Sequence, residues 1–191
     1  MQPAVFLDRD GVLIEDVNLL TKPDEIRILP GVPAALQKLK FKGFKLIVVS
    51  NQPIVARGLA TEDEVKAIHK NLGELLGRQG APTIDGWYFC PHHPNATLLA
   101  YRQDCQCRKP APGMFLQAAQ DHHLNFASSF SIGDRITDII AGSKAGCRTI
   151  LVQTGKHLAA PIQTARPVDM QTKPDYNCPD LMAAANLILN L

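Results

Sequence analysis

Ala4-Val5-Phe6-Leu7-Asp8-Arg9-Asp10-Gly11 decides how the rest of the chain is read. Four apolar residues in a row fit a short strand buried on both faces. The run stops on Asp8, and Gly11 lets the chain turn sharply away. Two carboxylates two residues apart repel each other unless a cation or a proton sits between them. A solvated turn is the plain explanation, since Asp and Gly both favour turns. The chemical explanation is a division of labour, with one ionised Asp as nucleophile and the other moving protons.

The same design recurs outward along the chain. Lys45 to Val49 is a β-branched run that ends at Ser50-Asn51, and Ser129 to Ile132 ends at Gly133-Asp134. Ile84 to Phe89 and Arg148 to Val152 read as further strands. Between them, Pro33 to Phe41 has Leu36 and Leu39 at helical spacing and is stopped by Gly43. Thr61 and Glu64 form a capping-box pattern that opens a helix to about Leu76. Helices are also expected from Gly113 to His122, from Ile136 to Ala145, and from Asp180 as cap to about Leu189. Residues 153 to 174 are polar and carry prolines, which predicts surface loop. Apolar strands alternating with helices imply an α/β fold, a mostly parallel sheet between two helical layers. In such sheets ligands bind beyond the carboxyl ends of the strands. Asp8, Ser50 and Asp134 fall at three such ends, a convergence that a lone turn does not explain.

The bulk numbers fit this picture. The 191 residues suit one domain, residues 1–191, and 46% hydrophobic content can build a core. The net charge of +2 comes from scattered Lys and Arg, so no nucleic-acid stripe is expected. No apolar run approaches the ~20 residues that span a bilayer, and no leader segment is expected. Five cysteines, an odd number with three crowded at Cys90, Cys105 and Cys107, suit a reduced cytoplasmic protein with a metal site. A monomer is the expected state.

Other residues extend the acidic site. Asp134 and Asp138 stand near the start of a helix, and a few carboxylates plus substrate oxygens are what Mg²⁺ prefers. Ser50 and the backbone beside Asn51 could hold a phosphate oxygen, although a helix cap is the commoner use. Lys109 supplies a point charge, and Arg108 a fork for a second anionic or hydroxylated group.

Asp8-Arg9-Asp10-Gly11, Ser50-Asn51, Lys109 and Gly133-Asp134-x-x-x-Asp138, in this order, resemble the haloacid dehalogenase (HAD) phosphatase superfamily. The resemblance covers residues 5 to about 152 and implies a Rossmann-like three-layer sandwich. It implies Asp8 as nucleophile and Asp10 as general acid/base. Mg²⁺ would lie on the Asp8 carboxylate, the Asp10 carbonyl and Asp134. Ser50 and Lys109 would steady the phosphoryl group, with Asp138 behind the metal. The gaps between motifs leave no room for a large cap domain.

Residues 90–108 carry a second metal pattern. Cys90-Pro91-His92-His93 followed by Cys105-Gln106-Cys107 supplies three thiolates and an imidazole, a closed tetrahedral set for structural Zn²⁺. His93 is an open alternative to His92. Such a clip would order the loop that delivers Arg108 and Lys109. Cys147 and Cys178 read as ordinary buried residues. With Cys107-Arg108-Lys109-Pro110 and Ala56-Arg57-Gly58, the chain is similar to the D-glycero-D-manno-heptose 1,7-bisphosphate 7-phosphatase family. That similarity implies Mg²⁺-dependent removal of the 7-phosphate on the way to nucleotide-activated heptose for lipopolysaccharide. It also implies substrate contacts from Asp16, Val17, Asn18 and Leu19, from Asn51, Gln52 and Pro53, and from Arg108 and Arg135. Pro53-Ile54, Ala111 and Arg135 depart from the family's usual Ser-Gly, His and Lys, all beside the substrate pocket. Histidinol-phosphate phosphatases share the fold and zinc loop and are the alternative. A catalytically silent binding module would lack a nucleophile, an acid or the lysine, and none is missing.

Overall fold

In the computed structural model, which describes residues 1–157 and 171–191, Ala4–Leu7 forms β1. Each of its four residues is 0% exposed, so both faces of the strand need cover. β1 lies inside a six-stranded sheet of order β3-β2-β1-β4-β5-β6. The other strands are β2 (Lys45–Asn51), β3 (Gly86–Cys90), β4 (Phe130–Gly133), β5 (Arg148–Val152) and β6 (Tyr176–Cys178). All these neighbours pair in parallel.

The helices are α1 (Val32–Phe41), α2 (Pro53–Ala56), α3 (Glu62–Arg78), α4 (Gly113–His122), α5 (Ile136–Ala145) and α6 (Leu181–Leu189). Side-chain alternation along β1 divides the core in two. Val5 and Leu7 face a large cluster with Leu36 of α1, Ile68 and Leu72 of α3, and Ala184 and Ile188 of α6. Ala4 and Phe6 face the opposite layer, with Met114 and Phe115 of α4 and Ala141 of α5. Phe6 and Phe115 meet at a centroid separation of 4.7 Å. A fully buried Leu, Ile or Phe contributes about 1.5–3 kcal/mol, so these two layers hold the sheet.

Thr61 caps α3 as expected, its hydroxyl accepting from the Glu64 amide at 3.2 Å while Glu64 accepts from the Thr61 amide at 2.7 Å. Asp180 caps α6, accepting from the Ala183 amide at 2.7 Å. Several boundaries differ from the sequence expectation. β2 runs on through Ser50 and Asn51, and β3 starts at Gly86, two residues beyond Ile84. The sequence reading lacked α2 and β6 altogether. Of the loop expected over residues 153 to 174, residues 158–170 lie outside the described residues. Among the described residues, no helix is long and apolar enough to cross a membrane.

Candidate active site

β2, β1 and β4 are adjacent, so their carboxyl ends bring Ser50, Asp8 and Asp134 to one edge of the sheet. Gly11, at φ 80°, carries the chain past this edge. A Cβ there would come within 2.5 Å of the Asp134 carboxylate, so no other residue fits without displacement.

Lys109 is the hub. Its ammonium is 3.0 Å from Asp8 Oδ1 and 2.6 Å from Asp138 Oδ1, and it donates to the Val49 carbonyl at 2.8 Å. Lys109 is only 2% exposed. Burial works against its charge, but Asp138 and Asp8 outweigh burial and hold the ammonium above its ordinary pKa. Asn51 places it, donating to the Lys109 carbonyl at 3.0 Å and accepting from the Lys109 amide at 3.1 Å.

The three carboxylates Asp8, Asp134 and Asp138 present oxygens within 4.8 Å of one another. Both Asp138 oxygens are engaged, Oδ1 by Lys109 and Oδ2 by the Arg135 amide at 3.0 Å, where it caps α5. Asp134 differs. Its Oδ2 accepts from the Lys156 amide at 2.6 Å, while its buried Oδ1 has no partner. Burial, then the charges of Asp8 and Asp138, push Asp134 up to about 7. An orphaned buried oxygen beside two more carboxylates is what a divalent cation relieves, so the donor set fits Mg²⁺.

Asp10 also lines the cleft. Arg9 forks onto it, Nη2 lying 2.9 Å from each oxygen, and Gln52 Nε2 donates to Oδ2 at 3.0 Å. Burial raises the Asp10 pKa, Arg9 opposes it, and the balance lies above the ordinary value. An upward shift suits a group that must carry a proton at the start of a reaction.

The cleft, about 550 Å³ including its open mouth, is lined by Asp8, Asp10 and Lys109 at its base. Asp16, Asn18, Asn51, Pro53, Arg108 and Arg135 form the rim. Arg135 pairs with Asp16 at 2.9 Å, and Arg108 donates to the His92 carbonyl at 3.0 Å.

That carbonyl belongs to the cysteine cluster. The Cys90, Cys105 and Cys107 sulfurs lie 3.0–3.4 Å apart, and His92 Nδ1 is 3.4 Å from Cys107 and 3.8 Å from Cys90. None of the five cysteines is in a disulfide. His93 points elsewhere, accepting from the Asn95 amide at 3.0 Å, which favours His92 as the fourth donor. Hydrogen bonds, the one with Cys90 foremost, hold Cys107 down at about 5 while Cys90 is pushed up. Three sulfurs and a nitrogen in one closed group match a tetrahedral Zn²⁺ set.

Residues 106–184 match the family model described as HAD-hydrolase-like. The solved D,D-heptose 1,7-bisphosphate phosphatase from B. bronchiseptica, complexed with magnesium and phosphate, superposes at a TM-score of 0.81 with 32% identity over 98% of each chain. The D-glycero-beta-D-manno-heptose-1,7-bisphosphate 7-phosphatase of Photorhabdus laumondii is 37% identical over 189 residues, 98% of this chain and 90% of that protein. Its Yersinia pestis counterpart is 40% identical over 159 residues, 83% of this chain and 84% of that protein. This chain belongs to the D-glycero-beta-D-manno-heptose-1,7-bisphosphate 7-phosphatase family.

In this heptose-bisphosphate phosphatase family member, the structure spreads the sequence candidates over three places. Asp8, Asp10, Asp138 and Lys109 line the base, with Asp134 buried against Asp8 and Asp138. Asp16, Asn18, Asn51, Pro53, Arg108 and Arg135 reach the cleft wall. Ser50 and Gln52, 1% and 2% exposed, stand behind that wall, Val17 is exposed, and Leu19 packs beside Ile54 and Val65. Sequence reasoning passed over Arg9 and the segment Thr154-Gly155-Lys156. Thr154 donates to the Gly11 carbonyl at 2.5 Å. Lys156 binds Asp134 through its amide, and its ammonium pairs with Asp16 and bonds to Asn18. The available signal was position, because this segment follows β5 directly on the same edge of the sheet.

Proposed function

We propose that this chain removes the 7-phosphate of D-glycero-β-D-manno-heptose 1,7-bisphosphate by passing it through an aspartyl-phosphate on Asp8. The observation that carries this reading is the Asp8–Lys109–Asp138 chain beside the unpartnered Asp134 Oδ1, set at the carboxyl edge of the sheet. Lys109 holds Asp8 in place and neutralises charge on the incoming phosphoryl group. Asp10 gives a proton to the leaving sugar oxygen and then takes one from the water that hydrolyses the acyl phosphate. Asp8, the Asp10 carbonyl and Asp134 would hold Mg²⁺, which would offset phosphate charge and the mutual repulsion of the carboxylates. The family resemblance gives Ser50, which stands just behind the cleft wall, the role of steadying the phosphoryl oxygens. Arg108 and Arg135 on the rim suit the hydroxyls and second phosphate of the sugar.

Cys90, His92, Cys105 and Cys107 would hold Zn²⁺ as a clip, since a closed set leaves no position for catalysis, and the clip would order Arg108 and Lys109 that follow. Cysteines without disulfides fit work in the cytoplasm, and a monomer is the state we expect.

Phosphate release with Mg²⁺, measured side by side on both heptose bisphosphate anomers and on histidinol phosphate, tests the reading. The β anomer is expected to be preferred by at least about tenfold, a difference of about 1.4 kcal/mol. Preference for histidinol phosphate would replace the substrate while keeping the Asp8 chemistry.

A further inference from the structure

Gln52 is a polar side chain that the cleft does not expose, yet it touches Asp10, which lines the cleft, and Ser50, which the phosphatase reading sets beside the phosphoryl group. Its Nε2 donates to Asp10 Oδ2 at 3.0 Å and to Ser50 Oγ at 2.8 Å. Its Oε1 accepts from Arg9 Nη2 at 3.0 Å. Arg9 is 1% exposed and also forks onto Asp10.

The orientation of the amide is forced by chemistry. A guanidinium only donates, so the amide oxygen must face Arg9, and the amide nitrogen must then face Asp10 and Ser50. Both amide hydrogens and the amide oxygen are thereby in use. The hydroxyl of Ser50 accepts from Gln52, which leaves its own hydrogen to be given to something else. On the phosphatase reading, which gives Ser50 the phosphoryl group as its other neighbour, that makes Ser50 a donor. A carboxylate held through both oxygens by Arg9, with one also bonded to Gln52, has little freedom to turn away from the leaving oxygen.

We propose that Gln52, braced by the buried Arg9, is a positioning residue that fixes the Asp10 carboxylate and commits the Ser50 hydroxyl to donate toward the phosphoryl group. It acts through its neighbours and does not read the sugar. This rests on the phosphatase reading above but not on which sugar is the substrate. Burying a guanidinium costs several kcal/mol unless it is paired and hydrogen-bonded, and here the pairing falls on a proton-transfer group. A core that needed only filling would use an apolar residue.

The consequence is a change in leaving-group dependence. An alkyl oxygen needs a proton as it departs and an aryl oxygen needs far less, so misplacing Asp10 harms alkyl esters selectively. The test measures kcat/KM for a set of simple alkyl and aryl phosphate monoesters with wild type, Gln52→Leu, the isosteric Gln52→Glu, Arg9→Met and Arg9→Lys. Thermal melts and metal content are taken on each variant.

Gln52→Leu and Arg9→Met are expected to lose about 10²-fold on alkyl phosphates and under about tenfold on aryl phosphates. Arg9→Lys should recover part of the alkyl loss. Gln52→Glu, which turns the Ser50 hydroxyl inward and repels Asp10, should be worse than Gln52→Leu on both classes despite its matching shape. Equal losses across leaving groups, or no loss, would overturn the proposal. If Gln52→Leu fails to fold, the ranking of Arg9→Lys over Arg9→Met on alkyl esters decides, and no difference there overturns it. Wild-type protein that hydrolyses these esters but spares heptose bisphosphate sinks the sugar assignment and leaves this test standing. Wild type inactive on every phosphomonoester sinks both.

Discussion

At the scale of single residues, Lys109 and Asp8 carry most of the argument. Lys109 is buried with Asp8 at 3.0 Å and Asp138 at 2.6 Å, so removing its charge leaves two carboxylates facing each other. Breaking a buried pair in this way costs about 3–5 kcal/mol. Lys109→Met should therefore lower both turnover and the midpoint of urea unfolding, and unchanged stability would mean the pair is not ionised. Asp8→Asn keeps the shape and removes the nucleophile. Turnover should fall to background, and acid quenching should trap no phosphorylated protein, whereas residual steady hydrolysis would point to direct attack by water. These two residues were legible in the sequence because each sits beside a marker, Asp8 after an apolar run and Lys109 after a cysteine pair. Arg9 was not. An arginine between two aspartates reads as solvated, and only the packed fold shows it buried and forked onto Asp10. Gln52 was legible as part of the site, but its place behind the wall depends on rotamers that no pattern encodes.

At the scale of elements, periodicity found the long segments and missed the short ones. β6 has three residues, Tyr176 to Cys178, with a polar Asn in the middle, too short for an alternation to register. It forms because β5 offers an open edge and α6 packs behind it. α2 is a single turn in which Pro53 is preset at N1. Its four residues follow β2 after Gln52 alone, and one turn is too short for a helical period to register. The loop from Cys90 to Lys109 has little regular structure beyond a 3-10 turn at Leu99–Tyr101, and a few backbone bonds such as His93 to Tyr101 leave much of its order to the cysteine cluster. That makes it the element most exposed to metal loss. Zinc-free protein, checked by metal analysis, should show faster amide exchange over residues 90–112. Its KM should rise about tenfold or more, because Arg108 and Lys109 lose their anchor. Full activity in verified zinc-free protein would remove the clip from the mechanism.

At the scale of the whole molecule, the fold stores unfavourable carboxylate energy at one edge of the sheet, and a cation is what releases it. Asp134 is buried and raised to about 7 from an ordinary value of 3.8. In the window between those values the folded protein holds a proton that the unfolded chain has given up. Stability from this group is therefore full below the unfolded value and is lost as pH rises through the folded one. Asp138 is raised to about 6 and acts in the same direction, tempered by Lys109. His69 runs the other way. Burial lowers it to about 3, so its contribution is present above pH 6.5 and lost on acidification. A melting curve of metal-free protein alone mixes these effects. The difference between melts with and without Mg²⁺ cancels His69 and keeps the carboxylates that the cation touches. That difference should be small at pH 5, grow through pH 7 and level off near pH 8, reaching on the order of a few kcal/mol. Asp134→Asn separates the causes. The amide resembles the protonated acid, so the metal-free variant should be more stable than metal-free wild type at pH 8, and Mg²⁺ should add little to it. If instead the Mg²⁺ increment is flat with pH, or survives in Asp134→Asn, the cation does not sit on Asp134 and its orphaned oxygen needs another partner.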